Sequence, residues 1–63
     1  MRPLQNGQIW QMDDSSLRIE LVGKRLVHYK LYKGKTNRSP ISLSGKEVLM
    51  KFLTAHKAIL VQE

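Results

Sequence analysis

The chain has 63 residues, no cysteine, and a formal net charge of +6 from eleven Lys and Arg against five Asp and Glu. A chain this short holds one domain with a thin core, since folding hides only about 60% of the surface its unfolded form exposes. Disulfides and thiolate metal sites are excluded, and His28 and His56 stand too far apart in sequence to indicate a structural zinc site.

No apolar run approaches the roughly 20 residues that span a bilayer. The opening Met1-Arg2-Pro3-Leu4-Gln5-Asn6-Gly7 has no apolar signal core, so a cytoplasmic location is the expectation. Residues 1–7 read as an N-terminal arm with Pro3 and Gly7 as breakers, and residues 8–61 as the folded unit of a single domain.

Residues 8–12 are the first strand candidate. Asp13-Asp14-Ser15-Ser16 is a cluster of turn formers that closes it. Residues 17–22 then alternate: Leu17, Ile19 and Leu21 face one way, Arg18 and Glu20 the other, the period of a half-buried strand. Gly23-Lys24 has the composition of a two-residue type II′ hairpin turn. Residues 26–33 alternate again, with Val27, Tyr29 and Leu31 as the core face and Leu26, His28, Lys30 and Tyr32 opposite. The next residues are polar, with Gly34 a turn former, and residues 40–43 form a short strand whose first position tolerates Pro40.

Ser44 followed by Glu47 has capping-box spacing and predicts a helix to about His56. Val48, Leu49, Phe52 and Leu53 fall on one stripe of that helix, with Met50 off it. Lys51, His56 and Lys57 lie near its negative end, where cations are favoured. Residues 58–61 are a last apolar strand.

The order is therefore β-β-β-β-α-β, a mostly β (α+β) class of four or five short antiparallel strands with one helix before the last. The sheet is expected to curl strongly or close, because closure disposes of its edges. In this order, in its size, and in its Gly7-Gln8-Ile9-Trp10 opening, the chain resembles the small SH3-like β-barrels, the superfold that includes Tudor and KOW-type domains, over residues 7–61. The likeness is architectural, with no KOW signature and no Sm-type motif pair. It implies a non-enzymatic binding barrel, a class whose ligands range from RNA and DNA to peptides and methylated side chains.

The chemistry-bearing residues agree with a non-enzyme. Neither histidine lies in a nucleophile motif. Asp13 and Asp14 are adjacent, which suits turn formers better than an acid/base pair. Ser44-Gly45-Lys46 lacks the rest of a phosphate loop and reads as a helix start. No cofactor and no metal site is expected.

The charge is informative in its placement. Lys24, Arg25, Lys30, Lys33, Lys35 and Arg38 lie within residues 24–38 with no acid among them, while the other five cations are matched by the five acids. His28 and Tyr32 stand inside this block. Cations meet phosphates and rings stack on bases, so these eight residues are the candidate nucleic-acid-binding set, with DNA or RNA as the expected partner. The same block also serves solubility on a small protein. The alternative function is a protein-interaction or assembly module, homo-oligomeric in one version, suggested by the thin core and by open strand edges. Trp10, the single tryptophan, reads as a core anchor rather than a stacking platform.

Overall fold

A computed structural model describes residues 3–33 and 39–63 of the chain. Five strands, β1 (Ile9–Gln11), β2 (Ser15–Val22), β3 (Leu26–Lys33), β4 (Ser42–Gly45) and β5 (Ile59–Gln62), form one antiparallel sheet, and α1 (Lys46–Ala55) precedes the last strand. The strand order is β4-β3-β2-β1-β5. Each of the first three strands pairs with its successor, and the helix carries the chain back so that β5 can lie beside β1. This is the expected mostly-β class, in an arrangement consistent with a small barrel-like fold. Among the described residues no pairing joins β4 to β5, so both are sheet edges.

The inner face carries the core: Leu4, Trp10, Met12, Leu17, Ile19, Val27, Leu49 and Leu53. Cross-strand register builds it in rows. Leu60, Trp10 and Leu17 are consecutive partners across β5, β1 and β2, and the row runs out of the core at Leu31 on β3, which is 41% exposed. Val22 faces Val27. The arm is tied into this core. Leu4 is buried, Gly7 N–H donates to the Ile19 carbonyl at 2.9 Å, and Val22 N–H donates to Asn6 Oδ1 at 2.8 Å.

Pairing is irregular in two places, one of them where β1 meets β5, between Ile9 and Trp10. β2 and β3 shift register between Ile19 and Leu21, which inserts Glu20 as an extra residue. Such a bulge turns the following side chains to the opposite face. Leu21 therefore does not join Leu17 and Ile19: those two are 0% exposed and Leu21 is 52% exposed. Its place on the inner side passes to Val22.

The β2–β3 reversal also departs from a Gly23-Lys24 turn. Lys24 and Arg25 lie at its tip, and Gly23 N–H donates to the Leu26 carbonyl at 2.8 Å. Gly23 does not have a positive φ. Its value is close approach, since a Cβ there would stand 3.1 Å from the Leu26 oxygen.

The helix begins without the expected capping box. Gly45 is the N-cap, in extended conformation, and no side chain caps the first turn. Ser44 Oγ instead donates to the Gly45 carbonyl at 3.2 Å, because Ser44 is still within β4. The buried stripe is centred on Leu49 and Leu53, with Phe52 and Met50 packed beside it. At about 100° per residue Val48 lies some 120° from that centre, and it is 65% exposed. The last turn holds no basic residue; His56 is the C-cap and Lys57 follows it. Lys57 N–H donates to Thr54 O at 3.1 Å and Ala58 N–H to Leu53 O at 2.9 Å, the bond pattern of a Schellman motif.

Candidate nucleic-acid interface

The outer face of the β2–β3–β4 region collects most of the candidate residues. On β3, His28, Lys30 and Tyr32 alternate with the inward Val27, Tyr29 and Leu31, so all three point away from the helix. Each is half-buried among its cross-strand neighbours. Lys30 is opposite Arg18 and Tyr32 is opposite Ser16. Arg18 was not singled out from sequence; its Nε lies 3.1 Å from Glu20 Oε2, so Glu20 offsets its charge.

Lys24 and Arg25 occupy the exposed tip between β2 and β3. Lys33 ends β3. Seven steps of about 3.3 Å separate Leu26 from Lys33, so the tip cations and Lys33 are about 23 Å apart, with Lys30 between. The block that is continuous in sequence is thus a stripe along a hairpin rather than a compact cluster. Nor is it free of acids in space: Lys33 Nζ is 3.7 Å from Asp14 Oδ2, an exposed pair of little energetic consequence. Lys35 and Arg38 lie outside the described residues.

The tip has a third cation, which local sequence does not place there. Lys46 N–H donates to the Arg25 carbonyl at 2.7 Å, which fixes the start of α1 beside the hairpin turn. Lys24, Arg25 and Lys46 together with Gly45, Glu47 and Val48 line a depression of about 430 Å³. On the sheet side of the same turn, Leu21, Gly23, Lys24, Arg25, Leu26 and His28 line another of about 500 Å³.

Trp10 takes no part in this surface. It is 4% exposed on the inner face, and its indole N–H is bonded to Gln8. Tyr29 packs on the core. His56 sits at the helix end with its ring 4.4 Å from that of Phe52. Among the described residues no group of three or more His, Asp or Glu side chains is placed to hold a metal ion, and no helix is long and apolar enough to cross a membrane. No family model, curated protein or solved structure matches the chain.

Proposed function

We propose that the chain is a small non-enzymatic binding module of the SH3-like barrel type, and that it takes nucleic acid, DNA or RNA, on the outer face of its β2–β3 hairpin. The strand order, with the helix just before β5, supports the barrel assignment. The observation that carries the functional reading is the shared face: Lys30, His28 and Tyr32 project from one side of β3, and Lys24 and Arg25 extend that side at the hairpin tip. Lys33 has the parity of Leu31 and leaves β3 on the opposite side, and Lys35 and Arg38 follow it in sequence. Cations spaced along an extended strand suit a polyanion better than a compact ligand, and release of its counterions supplies the affinity.

Titration of labelled DNA and RNA, read by fluorescence anisotropy at several salt concentrations, tests this. Binding whose log–log salt slope is several units supports phosphate contact at several of these cations. No binding at the lowest salt, where electrostatic attraction is strongest, removes the reading. Trp10 fluorescence is a poor reporter here, because the indole lies on the other face.

A second reading, self-association, is favoured by a separate observation. β5 is a sheet edge, and Ile59 and Val61 on it are exposed. Pairing of this edge between copies would bury both. Sedimentation velocity over a wide concentration range decides it, and a monomer throughout dismisses it.

A further inference from the structure

The outer face is more apolar than phosphate contact requires. Leu21, His28 and Leu43 are consecutive cross-strand partners across β2, β3 and β4. Leu26 lies two residues from His28 on the same side of β3. Leu21, Leu26 and Leu43 are each half exposed, at 52%, 50% and 54%. The bulge at Glu20 puts Leu21 there; without it Leu21 would point into the core. Apolar groups gathered on a solvent face mark a contact surface, and bulges commonly re-aim a side chain at such sites.

From this we infer that the site takes single-stranded nucleic acid, with an unpaired base resting on Leu21, Leu26 and His28 in the hollow of about 500 Å³ and the adjoining phosphates on Lys24 and Arg25. The inference rests on the nucleic-acid reading above and narrows it. A duplex keeps its base faces stacked inside and offers phosphates and groove edges, so an apolar floor gains nothing from it. An unpaired base has two exposed apolar faces, which proteins bind against rings and apolar side chains. The charge rim selects this occupant over an apolar protein segment: the walls of the hollow carry two cations and no acid. Tyr32 lies about 13 Å from His28 along β3, and offers a second ring to the same strand.

The test uses the whole chain with a fluorescein-labelled single strand of mixed sequence and the matching duplex, by anisotropy at one low salt concentration. The expected result is a preference for the single strand of about 10-fold or more. A variant carrying Leu21→Gln and Leu26→Gln, both at exposed positions, is expected to lose about 10-fold on the single strand, stay within about 2-fold on the duplex, and keep its circular dichroism and melting curve. Equal or tighter duplex binding overturns the inference while leaving the nucleic-acid reading in place. So does an unchanged single-strand affinity in the variant. Failure of both probes to bind removes the nucleic-acid reading and the inference with it. A drop in the mass of the free protein in the variant assigns the patch to contact between copies and also overturns it.

Discussion

The Trp10 indole Nε1 donates a buried hydrogen bond of 3.1 Å to Gln8 Oε1, and this pair joins the arm to the core. The same oxygen accepts from Gln5 N–H at 3.0 Å, and Gln8 Nε2 donates to the Pro3 carbonyl at 3.0 Å. Gln8 is 1% exposed and is the one buried polar residue among those described. Its amide satisfies both the tryptophan and the incoming chain, holding Pro3 and Gln5 in place beside the bonds that Asn6 and Gly7 make to β2.

Gln8→Met keeps most of the side-chain volume and removes these bonds, leaving a buried indole N–H unpaired. It is expected to cost about 1–3 kcal/mol. In a domain of this size each kcal/mol lowers Tm by roughly 4–8 °C, which differential scanning calorimetry resolves. An unchanged Tm would mean the arm is not held through Gln8.

The bulge makes two neighbouring apolar residues of β2 behave differently. Ile19→Ala is expected to destabilise by about 2–5 kcal/mol, because it leaves a cavity in the core. Leu21→Ala should fall within about 0.5 kcal/mol of the parent, because its side chain is half exposed and lies outside the core. Urea denaturation of the two variants checks this. Similar losses in both would show that the strand alternates without interruption.

Two backbone positions give predictions of opposite sign. Gly7 has φ +87° with nothing within 4 Å of where a Cβ would stand, so Gly7→Ala meets strain without a clash and is expected to cost about 1 kcal/mol. Lys57 has φ +53° at the residue after the helix C-cap, a position that glycine usually fills. Lys57→Gly is expected to stabilise by about 0.5–1 kcal/mol, the relief of the left-handed cost outweighing the extra chain entropy lost. Thermal melts of both variants read the two signs directly.

Element types were legible from the sequence because side-chain periodicity reports them: period two in β2 and β3, and the Leu49–Leu53 spacing in the helix. What the pattern could not carry was any feature without a local residue signature. The Glu20 bulge has neither glycine nor proline to mark it, so Leu21 read as core. Ser44 and Glu47 have the spacing of a cap, yet Ser44 is held by pairing with Val27 in β4, and the helix starts one residue later than the box requires. The site was legible in part for the same reason. Alternation put His28, Lys30 and Tyr32 on one face. Arg18 and Lys46 reach the region only through cross-strand register and the Lys46–Arg25 backbone bond, which are long-range facts.

The claim that position, rather than total charge, makes the hairpin face a binding surface is tested most directly by two charge reversals of equal size. One variant carries Lys24→Glu and Lys30→Glu on the hairpin. The other carries Lys51→Glu and Lys57→Glu, exposed on or just after the helix that covers the opposite face. Both lose the same net charge, so non-specific attraction falls alike. Measured by anisotropy on one labelled single strand at fixed low salt, the hairpin variant is expected to lose affinity at least about 10-fold more than the helix variant, with a log–log salt slope smaller by about 1–2 units. Equal losses in the two variants would contradict the account and make the basic stripe a matter of net charge alone.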